Sequence, residues 1–246
     1  MHLVTLDFGN SHPHAGLFEY KDLKSQFVKA IPLTHLKDEL ARLNWTGHNT
    51  QLVLSEVRKY DQELDGFIED NFVLTRVRDY WKGNRFAGMP VDYAHSLGED
   101  RLIQAYYLYK KFPRPLCLID AGTYTTIDFI TDQGFVGGYI APGIAAYPKV
   151  YSRGENLKDR ELNLEQFKNE LPHQTEDALS ESYGAFTALA SYWAQKLKIQ
   201  KFMLTGGSAP YWNSALSSFA DYDLQTDPNL IHYSLHYWYS TQIQIL

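Results

Sequence analysis

Two acidic residues stand at matching places in two similar stretches of the chain. Asp7 lies in Asp7-Phe8-Gly9-Asn10-Ser11, after the apolar run His2-Leu3-Val4-Thr5-Leu6. Asp120 lies in Asp120-Ala121-Gly122-Thr123-Tyr124, after Leu116-Cys117-Leu118-Ile119. Each reads as a strand delivering an acid, then a glycine turn, a small polar residue and a second strand. The glycine lets backbone N–H groups approach a ligand closely. Successive N–H groups in such a turn form a concavity for phosphate oxygens. One copy reads equally well as an ordinary hairpin turn. Two copies, each opening one half of the chain, read as a duplicated domain holding a phosphate between its halves. The acids would then hold a metal or order water around a transferring phosphoryl group.

A third acid sits in Gly98-Glu99-Asp100-Arg101. The glycine ends a long irregular stretch, and the charged residues occupy the first turn of a helix. An acid there is a common cap. An arginine beside it is less favoured at the positive end of a helix, and a carboxylate ligand would account for it. Asp100 would then accept the proton of an alcohol attacking a phosphoryl group. Phe135–Gly143 combines a double glycine with Pro142-Gly143, and Thr205-Gly206-Gly207-Ser208 follows a later strand. Both read either as a bulge or tight turn or as helix N–H groups aimed at phosphate. His12 and His14 flank Pro13, and without a third ligand they read as exposed or anion-contacting. No G-x-x-x-x-G-K-[S/T] loop or protein-kinase catalytic loop is present.

These residues need a scaffold. Strands are expected at 2–8, 14–20, 26–31, 51–57 and 72–77, with helices at 33–43, capped by Thr34, and at 61–71. That alternation predicts a mixed sheet flanked by helices. Residues 78–99 lack periodicity and are long for an idle connection. A helix follows from Glu99 to Phe112, stopped by Pro113 and Pro115. The pattern then restarts: strands at 116–120, 125–131 and 135–141, short helices at 144–150 and 164–170, one strong helix at 175–198, a strand at 201–205 and a further helix. The expected division is 1–112 and 113–246.

The bulk properties agree. The chain has 246 residues, 44% hydrophobic and 21% charged, with a net charge of −6. That allows a packed core and argues against nucleic-acid or anionic-membrane binding. Cys117 is the only cysteine, so no disulfide forms within the chain. No basic-then-apolar leader precedes the first strand and no uncharged run spans a bilayer, so a cytoplasmic protein is expected.

In order, D-F-G-N-S, L-G-E-D-R, D-A-G-T-Y-T-T-I-D, G-G-Y-I-A-P-G and T-G-G-S-A resemble type III pantothenate kinase, from residue 3 to about 209. That family belongs to the acetate and sugar kinase, Hsp70 and actin superfamily. The resemblance implies an α/β fold of two ribonuclease-H-like halves, each a mixed sheet flanked by helices, with the active site in the cleft between them. It implies ATP-dependent phosphorylation of pantothenate, the first step of coenzyme A biosynthesis. Asp7, Phe8, Gly9, Asn10, Ser11, His12, Pro13 and His14 match the phosphate loop for ATP, and Thr123 an ATP contact. Asp100 matches the proton acceptor. Gly98, Glu99 and Arg101 match the substrate segment, with Arg101 suited to the pantothenate carboxylate. Asp120 matches the ligand of a monovalent cation, K⁺ or NH₄⁺, and Mg²⁺ would arrive with ATP. Thr175 resembles a substrate-binding threonine contributed across a homodimer interface. Tyr93 corresponds to the family's substrate tyrosine, although the segment Tyr93–Gly98 is shorter here and lacks Asn-Pro. Ser11 replaces the commoner threonine and Tyr124 a small residue. The competing readings are a nucleotide-binding regulatory protein of the same fold and a related kinase for another small hydroxylated substrate.

Overall fold

A computed structural model describes residues 1–9, 12–21, 24–56, 62–157, 160, 162, 168 and 170–243. Its contacts group the chain into two compact units, Met1–Lys111 with Asn229–Leu246, and Phe112–Pro228. The last segment therefore returns to the first unit, unlike a simple split after residue 112.

The first unit opens with β1 (His2–Phe8), β2 (His14–Lys21) and β3 (Lys24–Pro32). Then come α1 (Leu36–Leu43), β4 (Thr50–Glu56), α2 (Gln62–Asn71) and β5 (Val73–Arg76). The strands form one sheet in the order β3-β2-β1-β4-β5. β1, β2 and β3 pair antiparallel, whereas β4 and β5 run parallel to β1. β1 is buried along nearly its whole length, which requires cover on both faces. Val4, Leu6 and Phe8 join Leu52, Leu54, Leu36, Leu40, Leu64 and Ile68 in one apolar cluster. The alternate residues, Leu3, Thr5 and Asp7, point to the other face. Thr34 does not cap α1: Leu33–His35 form a 3₁₀ turn and no side chain caps either helix start. The stretch with no periodicity contains a small antiparallel sheet of β6 (Trp81–Lys82), β7 (Arg85–Phe86) and β8 (Met89–Pro90). α3 (Glu99–Lys111) follows and buries Leu102, Ile103, Ala105, Tyr106 and Leu108.

The second unit repeats this plan. β9 (Leu116–Ala121), β10 (Tyr124–Thr131) and β11 (Gly134–Pro142) pair antiparallel. The expected helix at 144–150 is a 3₁₀ turn, Tyr147–Tyr151, and the one expected at 164–170 falls largely outside the described residues. Then come α4 (Thr175–Glu181), α5 (Gly184–Leu197), β12 (Lys201–Thr205), α6 (Ala209–Ser217) and β13 (Asp223–Thr226). The sheet order is β11-β10-β9-β12-β13, with β12 parallel to β9 and β13 parallel to β12. α5 and α6 cover it through Ala190, Ala194, Trp212 and Leu216 against Cys117, Ile119, Phe202 and Leu204.

The single helix expected over 175–198 breaks at Ser182-Tyr183. The Ser182 hydroxyl donates to the Leu179 carbonyl at 2.7 Å and lies 2.7 Å from the Tyr147 hydroxyl. Such local bonds compete with the helix ladder. Tyr183 is fully buried, its hydroxyl donating to the Pro142 carbonyl at 3.2 Å. The chain ends in α7 (Leu230–Gln242), which packs on α3, β1 and β4. Among the described residues, no helix is long and apolar enough to cross a membrane.

Candidate functional site

In the first unit the acid-bearing turn follows directly from strand register. Asp7 pairs with His14 on β2 and with Ser55 on β4, so its carboxylate emerges near the C-terminal end of β1. Asp7 and Phe8 are buried. His14 Nε2 lies 3.7 Å from Asp7 Oδ2. Burial lowers the His14 pKa below its ordinary value, so its imidazole is neutral at neutral pH and the contact is not a full ion pair. Among the described residues, the nearest atom to a Cβ added on Gly9 is Asp7 Oδ2, at 3.4 Å. The Pro13 carbonyl accepts the Leu33 N–H at 3.0 Å, which ties the far side of the turn to the sheet. His12 is exposed. Asn10 and Ser11 lie outside the described residues.

The Gly-Glu-Asp-Arg segment opens α3, with the Gly98 carbonyl accepting the Leu102 N–H at 3.0 Å. Asp100 Oδ1 accepts the Arg101 backbone N–H at 2.8 Å, which satisfies one of the free N–H groups of the first turn. The capping role read from the sequence is therefore real, and it holds the carboxylate in a fixed direction. Loss of hydration raises the Asp100 pKa, offset in part by the Arg101 N–H and the Arg101 charge. A carboxylate with a raised pKa is a stronger proton acceptor. A Cβ at Gly98 would run into Asp100 Oδ1, so a side chain there would push that carboxylate aside.

Glu99 and Arg101 are buried although charged. Glu99 Oε1 accepts from Arg78 Nε at 2.8 Å, and Oε2 accepts the Glu56 backbone N–H at 3.1 Å. Burial pushes the Glu99 pKa up, while Arg78 and the Glu56 N–H pull it down. Glu99 thus ties the start of α3 to the end of β4. Phe8, the residue after Asp7, is paired with Glu56 there. The Asp7 and Asp100 segments are brought to the same end of one sheet through this tether. Arg78 also donates to the His95 carbonyl at 3.2 Å, and the His95 ring packs on Trp81 at 4.4 Å. The Arg101 guanidinium lies 5.3 Å from the ring of exposed Tyr93, so those two expected substrate residues also meet. Arg78 and Glu56 were not among the residues expected from sequence. Arg78 begins the aperiodic stretch, and its length was the only signal.

In the second unit Asp120 pairs with Thr126 on β10 and Thr205 on β12. The turn after it is clamped by backbone. Gly122 N–H donates to the Tyr124 carbonyl at 3.1 Å, and Gly143 N–H donates to the Thr123 carbonyl at 2.9 Å. A Cβ on Gly143 would strike the Gly122 and Thr123 carbonyls. One on Gly206, whose φ is +83°, would lie 2.6 Å from the Ala121 carbonyl carbon. Ser208 N–H donates to the Ala121 carbonyl at 2.9 Å. The glycines of Pro142-Gly143 and Thr205-Gly206 are thus explained by chain-on-chain approach around Ala121–Thr123. The double glycine before them marks a bulge, with the register shifting between Phe129 and Ile130 and Gly137 at φ +121°. Thr123 is exposed on this turn, and Thr175 is exposed at the first residue of α4.

Among the described residues, no group of three or more His, Cys, Asp or Glu could hold a metal ion. Asp120 offers one carboxylate beside the turn, with its Oδ1 and the Tyr124 carbonyl both within 4 Å of an added Cβ on Gly122. Such all-oxygen donors suit a hard cation rather than a soft one.

Comparison with known proteins follows the same line. The family model for type III pantothenate kinase matches residues 3–194. A type III pantothenate kinase of Aquifex aeolicus is 28% identical over 94% of each chain. Those of Wolinella succinogenes and Campylobacter jejuni are 35% and 33% identical over 38% and 47% of this chain. The chain spans 44% and 52% of those two relatives' lengths, about half. Among solved structures, a putative Baf family transcriptional activator from Campylobacter jejuni aligns with a TM-score of 0.61, 22% identity and coverage of 96% and 97%. A putative 2-dehydro-3-deoxygalactonokinase from Sinorhizobium meliloti aligns at 0.60, with 13% identity and coverage of 99% and 100%. These two likenesses show the fold alone. With the family model covering most of it, this chain belongs to the type III pantothenate kinase family.

Proposed function

We propose that the chain transfers the γ-phosphoryl group of ATP to the hydroxyl of pantothenate. The observation that carries this reading is Asp100. It is held by the first turn of α3, raised in basicity by burial, and anchored through Glu99 to the end of the sheet from which Asp7 emerges. In this reading Asp100 takes the hydroxyl proton as the oxygen attacks phosphorus. Arg101, beside Tyr93, meets the substrate carboxylate. The Asp7 turn presents its N–H groups to the phosphates of ATP, and Thr123 adds a nucleotide contact. Positioning and charge neutralisation supply most of the catalysis in phosphoryl transfer. Mg²⁺ bound to the nucleotide neutralises phosphate charge, and Asp120 holds a monovalent cation.

The test is ADP release in a coupled assay with pantothenate and a panel of other hydroxy acids, sugars and alcohols. Turnover should be largest with pantothenate. Turnover with another member and none with pantothenate would move the chain to a different kinase of the same fold.

The reading includes a homodimer with Thr175 serving the neighbouring subunit. Tyr183 is buried within its own unit, so an apolar second face on these helices rests on Tyr192, which is 53% exposed, with Phe186 and Trp193 part-buried beside it. Asp100→Asn subunits mixed with Thr175→Trp subunits, each inactive alone, should regain activity on exchange. A mixture that stays inactive despite confirmed exchange rules out the shared site.

A further inference from the structure

α7 lies beyond the family-model match, yet one of its side chains reaches the strands that carry the Asp7 turn. His232 is almost completely buried. Its Nδ1 lies 2.8 Å from Thr5 Oγ1, and that hydroxyl donates its own proton to the Gly16 carbonyl at 3.2 Å. With that hydroxyl proton on the Gly16 carbonyl, Thr5 accepts from His232, and Nδ1 is then the protonated nitrogen. Nε2 is then the bare nitrogen, buried without a hydrogen-bond partner among the described residues. Burial drives the His232 pKa down to about 3, with the neighbouring His14 adding to the shift.

The geometry around the ring is tight. Thr5 pairs with Gly16, and two residues further along the same face Asp7 pairs with His14. A Cβ on Gly16 would come 2.6 Å from His232 Nδ1 and 2.7 Å from Thr5 Oγ1. Gly16 is thus the space into which the ring is set. From that seat the ring meets His14 edge to face, with centroids 4.7 Å apart and 62° between planes. His14 in turn lies 3.7 Å from Asp7. The His232 Nε2 is buried without a hydrogen-bond partner among the described residues, so packing alone does not account for a histidine here.

We infer that His232 is a positioning residue for the Asp7 turn. Locked on the Thr5–Gly16 pair, its ring holds His14 against Asp7 and so sets the direction of the Asp7 carboxylate. This rests on the proposal that the Asp7 turn binds the phosphates of ATP.

The test compares His232→Phe, which keeps the ring and loses the N–H, with His232→Asn, whose amide N–H takes the place of Nδ1. Both are made in the full chain. ATP and pantothenate saturation curves are recorded alongside long-range ¹H–¹⁵N spectra of the histidine rings. The wild type should show His232 protonated at Nδ1. His232→Phe should move the His14 ring resonances and raise KM for ATP on the order of 10- to 100-fold, with KM for pantothenate unchanged. His232→Asn should recover most of the ATP affinity. Thr5→Val removes the acceptor and reaches the same chain of contacts from its other end, which keeps the test available if one His232 variant fails to fold. A folded His232→Phe or Thr5→Val protein with unmoved His14 resonances overturns the inference, as does an equal rise in both KM values. Asp7→Asn separates the two ideas. If it leaves ATP affinity unchanged, the phosphate-loop reading fails, while the His14 shift still reports whether His232 positions the turn.

Discussion

The two sheets have the same strand order and the same pattern of parallel and antiparallel neighbours, and each places an acid near the end of its first strand. What surrounds that acid differs. Among the described residues, a Cβ on the glycine after Asp7 would meet the Asp7 side chain at ordinary contact distance, and His14 lies beside that acid with His232 behind it. After Asp120 the turn is gripped by backbone from two other segments, at Gly143 and Gly206. The side chains beside Asp7 can be tuned by substitution. A turn gripped by backbone is rigid, and presents carbonyl and carboxylate oxygens instead. In the proposed reading, one plan used twice serves phosphate in the first unit and a cation in the second. The first unit adds what the second lacks at this position: an acid at the start of a helix, tied to the sheet through Glu99.

The largest expected effect comes from that added acid. Asp100→Asn should lower turnover by about 100- to 10,000-fold while leaving KM for ATP near the wild-type value. The folded-state pKa of Asp100 lies above its unfolded value. Its contribution to stability is therefore present at low pH and lost as pH rises through the folded pKa. Asn stays neutral and can still accept the Arg101 N–H, so the variant should melt no lower than wild type at neutral pH. In the wild type, kcat/KM should rise with pH on an acid limb displaced above the ordinary carboxylate range, and the variant should lose that limb. Near-wild-type turnover in Asp100→Asn removes it from the mechanism.

Next comes a direct test of open against gripped turns. Gly143→Ala forces a methyl group into the Gly122 and Thr123 carbonyls and should cost about 1–3 kcal/mol through overpacking, seen as a fall in Tm. Among the described residues, Gly9→Ala meets only the Asp7 side chain at ordinary contact distance, so its Tm should barely move and its effect should appear in KM for ATP. Equal losses of stability in the two variants would dissolve the distinction.

How much of this was legible beforehand follows the same divide. Both acid-bearing strands, their antiparallel partners and the start of α3 could be read from apolar runs, glycines and the Pro113–Pro115 stop, because those signals are local. The contents of the gap at 78–98 could not. β6 to β8 are two residues each, too short to show a period of two, and Arg78 gains its role only when the fold brings Glu99 and His95 to it. The break at Ser182 was hidden because 175–198 keeps helical spacing throughout, while the hydroxyl bonds that interrupt it involve Tyr147, far away in sequence. α7 carries buried Leu230, Ile231, Leu235, Trp238 and Tyr239 at helical spacing. It was nevertheless not among the elements expected from the sequence, and its return to the first unit, with His232, depends on tertiary packing.

A smaller effect is expected from the tether. Glu99→Ala leaves the Glu56 N–H without its acceptor and Arg78 without its carboxylate partner. Arg78 is half exposed and regains water, so the cost should be about 1–3 kcal/mol rather than that of a fully buried broken pair. Loosening the first turn of α3 should raise KM for pantothenate more than KM for ATP. A rise confined to ATP would mean that Glu99 serves the phosphate loop instead.

The smallest effect separates the two acids by chemistry. Beside Asp120 lie backbone carbonyls, and beside Asp7 lies a neutral imidazole whose pKa is lowered by burial. An all-oxygen site selects a hard cation by size and by how readily the ion sheds water, whereas an imidazole neighbour gives no such preference among alkali ions. At constant ionic strength, K⁺ or NH₄⁺ should therefore support turnover a few-fold better than Na⁺. Asp120→Asn should flatten that order among the three salts. Asp7→Asn, if residual turnover allows measurement, should preserve it. Equal rates of the wild type in all three salts would assign Asp120 to the structure of its turn. A preference lost in Asp7→Asn but kept in Asp120→Asn would place the cation with the wrong acid and reverse the division of labour between the two sheets.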